Sequence, residues 1–461
     1  MSSLLNWLRR APGRFFASRA AFHVVLGLLL FVPHLFGSRE SPAPYHFGIP
    51  RIHSGDEPHY LVMIHSIVDD GDLALGNNYD KVHAGSLDAG LLFRGSDLDH
   101  HTVWFVDGKR IHWAEVFQRP PPWNRDAAGH PVPTVRAGVD PRLLPKVEAP
   151  WNSSGFPLLL SPFFFALRAV GLSDWYEPAA TFFSALIILI ASVLWRFLAA
   201  GFTRDRTVVN LSMAFAFLGT PAWHYGRSFF SEPYLLCLIT GAYLFSIVRP
   251  KLVLAGFLIG LTLFIKPIAV LMGFPIGVML LSQRRLGDVM RFSVPVALWL
   301  VAVLVQNMIL YGSPFNSSNE FKYGAPLYNA LQILAHPVRG LLTTAPIVLL
   351  SIAGWGAIVK KSRLAVAALA SCVLFFVVAA CNHAWSGGYC YSIRFLVPLM
   401  PIFCLGAIPL LQSPLRRFVI FVGVLSICVN FCAAVQYWRA FHNHPFLYLI
   451  PSTEWDAAPS A

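Results

Sequence analysis

Charge is scarce in this chain. Of its 461 residues, 13% are Asp, Glu, Lys or Arg and 56% are hydrophobic, and the mean hydropathy is +0.58. Water-soluble domains carry roughly twice that share of charge. The composition therefore excludes an ordinary soluble enzyme and predicts an all-α polytopic membrane protein. Acidic residues are the scarcest group, 23 against 35 Lys and Arg, which leaves a net charge of +12. That excess does not call for nucleic acid, because in such chains Lys and Arg gather in cytoplasmic loops and report topology first. No Cys-x-x-Cys pair, Walker loop or dinucleotide fingerprint occurs, and no internal repeat is evident. The proline run Pro120, Pro121, Pro122 after Arg119 is read as a surface turn. The apolar stretch behind Arg9, Arg10, Arg14 and Arg19 lacks a small-residue cleavage site, so it is expected to anchor the chain rather than to be removed.

Long apolar runs supply what is present. They predict eleven spans, at residues 21–36, 179–199, 208–222, 234–248, 252–265, 268–282, 292–311, 341–359, 364–380, 395–411 and 418–438. The stretch 156–170 is apolar but short and contains Pro157 and Pro162, which suits a re-entrant or interfacial helix. Charge tests this layout. With the N-terminus inside and 156–170 not crossing, the loops bearing Arg204 and Arg206, Arg249 and Lys251, Arg284 and Arg285, Lys360 and Arg363, and Arg416 and Arg417 are all cytoplasmic. Counting 156–170 as a crossing would place every one of them outside. The expected organisation is a basic cytoplasmic N-terminus (1–20), a first span (21–36), a long extracytoplasmic loop with juxtamembrane helices (37–177), a transmembrane bundle (178–440) and an extracytoplasmic tail (441–461). Within the long loop, residues 71–147 read as turns and short strands, such as 102–106 before Asp107-Gly108.

The stretch from His53 to Tyr60 organises the rest. Asp56 and Glu57 lie side by side before Pro58, at the start of a run in which Tyr60, Leu61, Ile64, Ile67 and Val68 recur at helical spacing. Asp56 takes the N-cap position of that helix, with Glu57 and Pro58 in its first turn. An anionic carboxylate there suits a general base at a membrane surface, and it equally suits a plain helix cap. The predicted outer face also receives Glu232 at the start of a span, Lys266 at an outer turn, Arg394 after Gly387-Gly388, and Arg227, Lys322 and Arg339 in loops. Outer cations run against the charge rule. Each is explained by snorkelling to headgroups or by a clamp on a lipid-linked phosphate, for which Lys266, Arg394 and Arg227 are the candidates. Glu232, His59, Tyr60, His383 and Trp385 are the candidate pocket residues. The loop histidines His53, His59 and His65 are six apart and share no helical face, so hydrogen bonding outweighs a zinc site there. His83, His100, His101 and His112 lie in the same loop. No cofactor is assigned, and a divalent metal stays open. Of the cysteines, Cys237, Cys372, Cys404, Cys428 and Cys432 fall in apolar spans, whereas Cys381 and Cys390 flank one loop and form a disulfide if that loop is extracytoplasmic.

Four features together resemble the GT-C glycosyltransferases, polytopic enzymes that use polyprenyl-phosphate sugars, in particular bacterial relatives of the protein O-mannosyltransferase and aminoarabinose transferase group. They are Gly55-Asp56-Glu57-Pro58-His59-Tyr60 with Asp70-Gly71-Asp72-Leu73 after it, the Gly155–Leu160 segment Gly-Phe-Pro-Leu-Leu-Leu, Arg227-Ser-Phe-Phe-Ser-Glu232, and Gly387-Gly388-Tyr-Cys-Tyr-Ser-Ile-Arg394. The first is the most specific. The resemblance implies an inverting transfer of a sugar from a polyprenyl phosphate to an extracytoplasmic lipid, glycan or protein acceptor at a bacterial inner membrane, with Asp56 as base and Glu57 shaping the site. Two departures stand out: Trp151-Asn152-Ser153-Ser154 replaces the usual histidine before the proline motif, and no large soluble domain follows Trp438. The rivals are a lipid-linked oligosaccharide flippase or transporter, which should carry ionisable residues mid-span in broken helices and repeated halves, and a polysaccharide polymerase or ligase, whose large loop comes late. The enzyme reading expects Asp56, Glu232, Lys266 and Arg394 to converge on one cavity open to lipid and to water.

Overall fold

A computed structural model describes residues 19–35, 52, 56–83, 87, 102–106, 109–116, 124–125, 131–132, 135–136, 149–150, 153–315, 322–388 and 390–436. Arg9, Arg10, Arg14, His53, Gly55, His100, His101, Pro120–Pro122, Trp151, Asn152, Tyr389, Trp438 and the tail 441–461 lie outside them.

The described chain is mostly helical. α1 (Arg19–Phe31) leads to α2 (Glu57–His65), which widens into a single π turn at Ser66–Asp70 and ends on Gly71 at φ +83. A one-sided helix was the expectation for α2, but every residue from Glu57 to Ile64 is buried. The helix is wedged against the fifteen-residue helix that closes the long loop, so no face is left for lipid. α3 (Gly76–His83) hooks back on the π turn, because Asp70 accepts hydrogen bonds from Asn77 Nδ2 (3.0 Å), Asn78 Nδ2 (2.8 Å) and Lys81 Nζ (2.9 Å). Burial pushes the Asp70 carboxyl up, but the hydrogen bonds from Lys81 and Asn78 and the Lys81 charge outweigh it and hold the group below its ordinary value.

Short strands follow: β1 (Thr102–Val106), β2 (Lys109–His112), β3 (Asn124–Arg125), β4 (Pro131–Val132) and β5 (Ala149–Pro150). They form an antiparallel β2–β1–β5 sheet, with Trp104 opposite Ile111, and a separate β3–β4 ribbon. Then come α4 (Gly155–Ala169), α5 (Tyr176–Ala200), α6 (Arg206–Phe217), α7 (Glu232–Tyr243), α8 (Leu252–Ile265), α9 (Phe274–Ser282), α10 (Leu286–Tyr311), α11 (Pro326–Ala335), α12 (Arg363–Cys381) and α13 (Arg416–Gln436). The Tyr311 hydroxyl of α10 donates to Pro150 O at 3.1 Å and ties the sheet to the bundle. α8 lies directly on α10: Cβ atoms at Gly256 and Gly260 would stand 2.0 Å from Phe292 O and 2.3 Å from Trp299, so only glycine allows this approach. Gly155 opens α4 just as tightly: a Cβ there would stand 1.9 Å from Phe264 O, so glycine lets α4 close against the end of α8.

The segments Ser173–Ala200, Leu286–Tyr311, Arg363–Cys381 and Arg416–Val435 are long and apolar enough to cross a membrane. Shorter apolar helices cover Ala21–His34, Gly155–Ala169, Glu232–Val248, Leu252–Ile265, Pro267–Ser282 and Met400–Leu411. Several of the expected spans are not single helices: 268–282 divides into the turn Pro267–Met272 and α9, and in 208–222 the helix α6 stops at Phe217. Residues 341–359 divide into Leu341–Thr344, Pro346–Ile352 and Trp355–Lys361. Pro346 holds Ala345 out of the helical region (φ −151, ψ 58), and α13 satisfies the freed backbone: Ser426 Oγ accepts from Ile347 N (3.1 Å) and Asn430 Nδ2 donates to Thr344 O (2.8 Å). Residues 395–411, interrupted by Pro398, Pro401 and Pro409, run as the turn Arg394–Leu396 followed by Met400–Phe403, Cys404–Gly406 and Ala407–Leu411.

The bundle has two chemically different ends. α7 starts at Glu232 and α8 runs out into Lys266, while the basic turn bearing Arg249 and Lys251 joins the same two helices at the far end. At that far end Lys361 Nζ donates to Phe202 O (2.6 Å) and Gln412 Nε2 to Thr203 Oγ1 (2.8 Å), which draws the loops after α5, before α12 and before α13 together.

Candidate functional site

Asp56 occupies the N-cap position of α2, yet its side chain makes no capping hydrogen bond. Its Oδ2 instead accepts from Arg394 Nη1 at 2.8 Å, across 338 residues of chain. The plain-cap reading therefore fails for this side chain. Glu57 turns inward, fully buried, and its Oε1 accepts the Phe229 amide proton at 2.6 Å. That contact pins the segment leading to α7 and so positions Glu232.

Glu232 stands in the first turn of α7, where the helix dipole favours a carboxylate. Its Oε1 lies 3.1 Å from Lys266 Nζ and 3.5 Å from Arg394 Nε. Lys266 sits in a break: before Pro267 the chain is extended (φ −152, ψ 103) between α8 and the 3-10 turn Pro267–Met272. Arg394 follows the Gly387-Gly388 turn, whose φ values of +86 and +83 suit glycine. The result is one chain of alternating charge, Asp56–Arg394–Glu232–Lys266, gathered from four distant parts of the sequence.

Aromatic rings floor this chain. The Arg394 guanidinium lies 5.0 Å from the Phe230 ring centre and 5.7 Å from that of Phe395, and Lys266 Nζ lies 4.8 Å from Phe395. Side-chain exposure is 2% for Glu232, 9% for Arg394, 18% for Asp56 and 23% for Lys266. The middle of the chain is thus dry and its two ends reach toward solvent. Buried opposite charges give little net stability, because desolvation offsets their attraction, so their presence asks for another reason. Glu232 and Lys266 line a narrow hollow of about 10 Å³, room for one water molecule, with Leu235, Ile239, Met272 and Phe375 among its walls. Asp56 and Arg394 do not line that hollow, so among the described residues the four do not share it and meet instead as an ion chain.

The other sequence candidates have different places. Arg227 is buried and donates to Ala434 O (2.8 Å) and Val435 O (3.4 Å), where it caps the last carbonyls of α13 instead of joining Lys266 and Arg394. His59 is buried, with Nδ1 3.0 Å from the Tyr79 hydroxyl, and fastens α3 to α2. The Tyr60 ring packs edge-on against Phe156, centroids 4.9 Å apart, beside the Phe229 ring. His383 is exposed on the turn after α12, its amide donating to Lys322 O, and Trp385 lies 5.6 Å from the His336 ring. Neither reaches the ion chain through these contacts. Cys381 and Cys390 are both free thiols, and Cys390 Sγ donates to Ser386 O at 3.2 Å, so the expected disulfide is not formed. Among the described residues no group of three His, Cys, Asp or Glu side chains is arranged to hold a metal ion. Sequence reasoning missed Phe230 and Phe395. Their signal was adjacency: Phe395 follows Arg394, and Phe230 precedes Glu232 by two.

No family model, curated protein or solved structure matches this chain.

Proposed function

We propose that this chain is an integral membrane inverting glycosyltransferase that moves a sugar from a polyprenyl-phosphate donor to a hydroxyl of a lipid, glycan or protein acceptor. The reaction runs at the end of the bundle away from the basic loops, extracytoplasmic in a bacterial inner membrane with the N-terminus inside. The observation that supports it is the Asp56–Arg394–Glu232–Lys266 chain: a partly exposed carboxylate held by one cation, and a buried carboxylate that bridges that cation to a second beside apolar walls.

In the resting state each cation is held by a carboxylate. A donor phosphate competes for Lys266 and Arg394, and its arrival releases Asp56. Asp56 then takes the acceptor hydroxyl proton as the acceptor oxygen bonds to the anomeric carbon and the carbon–oxygen bond to phosphate breaks. Lys266 and Arg394 stabilise the negative charge gathering on the departing polyprenyl phosphate. Glu232 bridges the two cations, 3.1 Å from Lys266 Nζ and 3.5 Å from Arg394 Nε, and receives them again after release.

The test is transfer of label from a panel of polyprenyl-phosphate sugars by the purified protein. Asp56→Asn is expected to lower transfer roughly 10²–10⁴-fold, the usual contribution of general base catalysis. Transfer unaffected by this change would remove Asp56 as base. The broken stretches at Ala345-Pro346 and after Arg394 favour a second reading, a lipid-linked oligosaccharide flippase, since discontinuous helices occur in transporters. Labelled lipid that crosses vesicle bilayers with no new glycoside formed would favour that reading.

A further inference from the structure

The opposite end of the bundle holds a second site, independent of the reaction above. Gly201, Phe202, Thr203, Arg204, Lys361 and Gln412 enclose an open cleft of about 580 Å³. Three loops build it, and they are locked together rather than merely adjacent. Lys361 Nζ donates to Phe202 O at 2.6 Å, and Gln412 Nε2 donates to Thr203 Oγ1 at 2.8 Å. An ammonium has three donors and the carbonyl takes one, so Lys361 keeps donors for a ligand. The Arg204 guanidinium has no hydrogen-bond or ion-pair partner among the described residues. The adjacent carboxylate does not neutralise it: Asp205 Oδ1 accepts from Thr207 N (2.9 Å) and Val208 N (3.2 Å) and caps α6. The cleft therefore offers a guanidinium fork, an ammonium and an amide with no competing acid.

Apolar side chains flank the lining segments in sequence, and the Arg249 guanidinium lies 4.7 Å from the Phe197 ring centre. Leu415 and Phe418, three and six residues beyond Gln412, are 53% exposed each, and Phe197, three residues before Ala200 at the end of α5, is 41% exposed. A soluble anion has no use for such a flank, whereas an acyl chain does.

We infer that this cleft binds the phosphate of an anionic phospholipid headgroup, with Arg204 and Lys361 as its ligands and the lipid chains lying along the Leu415–Phe418 side. Basic pockets between helix ends are the usual setting for such recognition. Arg204 supplies the bidentate contact and Lys361 the point charge.

The experiment is native mass spectrometry of the full-length protein in detergent, titrated with phosphatidylglycerol, with phosphatidylcholine and with inorganic phosphate. The wild type is expected to retain phosphatidylglycerol about tenfold more tightly than phosphatidylcholine, and Arg204→Gln is expected to remove most of that preference. Arg291→Gln is the control. It deletes the same charge from the same end but lies on α10, paired with Asp288 at 3.2 Å, and should leave binding unchanged. Lys361→Gln should act like Arg204→Gln; since it also loses the loop contact, its melting temperature is read alongside. If Arg204→Gln binds as wild type does, or Arg291→Gln loses as much, no specific site exists and the proposal fails. If millimolar inorganic phosphate displaces the lipid completely, the cleft is a site for free phosphate and the lipid assignment is overturned.

Discussion

The two ends of this bundle handle charge in opposite ways. At one end Asp56, Arg394, Glu232 and Lys266 interlock with little or no water around the central pair. At the other, Arg204, Arg249, Lys251 and Lys361 stand in short loops with few acids near them, and most face outward. The exposed cations need no structural reason, because water solvates them and their loops are read by the membrane's charge asymmetry. The interlocked ones do, because hydrophobic residues in the same places would cost less. An arrangement that is expensive to build is the feature on which the proposed phosphate-handling role rests.

The sharpest way to break this contrast is catalytic. Lys266→Met should lower transfer from a polyprenyl-phosphate sugar at least tenfold and raise the donor concentration needed for half-maximal rate, whereas Arg291→Gln at the other end should change neither, as read by steady-state kinetics. Stability gives the next largest effect. Arg394→Gln leaves Asp56 without a cation and Glu232 with Lys266 alone, and should cost about 3–5 kcal/mol in detergent unfolding, against less than about 0.5 kcal/mol for Arg291→Gln. The double variant Asp56→Asn with Arg394→Gln should recover part of that loss, and a strictly additive double variant would show that the two do not interact. Packing comes third. Gly155→Ala forces a methyl within 1.9 Å of Phe264 O. It should destabilise by about 1–3 kcal/mol and move α4 against the end of α8, lowering the melting temperature and weakening donor binding together.

The smallest effect tests the long loop. Asp70 has its folded value held below the ordinary one, so its contribution is present above the unfolded value and is lost as pH falls through the folded one. Proteolytic nicking near α3 should therefore rise at acid pH, and Asp70→Asn should raise it at neutral pH and flatten the dependence. Asp70 is an exposed residue and its partner Lys81 is half-exposed, so solvent screens the pair and the shift in melting temperature should be slight.

Much of the scaffold was legible in advance. Apolar runs located α5, α10, α12 and α13 closely, because a long hydrophobic helix leaves an uninterrupted pattern. The broken stretches were not, although Pro346 and Pro398 stood in plain view. Averaged hydropathy passes over a proline, and only the partner helix shows where the freed backbone groups go, as Ser426 and Asn430 do. Asp56 was legible by type and position, but its side chain was not: cap or ion pair depends on Arg394, which no local rule brings near. Arg227 shows the reverse. It carried the right charge in the right loop, but the end of α13 claims it. Glu57, adjacent to Asp56, points elsewhere because successive residues on a helix diverge by about 100°.

One detail of the break at Lys266 bears on how the ion chain opens. Glu232 faces the amide end of α7, and Lys266 caps the carbonyl end of α8. Each charge thus has a resident counter-field that belongs to the backbone and stays put. On the proposed reading, a donor phosphate that draws Lys266 away leaves both groups with these backbone fields. The proposed donor phosphate would therefore meet an ion pair each of whose members is already anchored to a helix end.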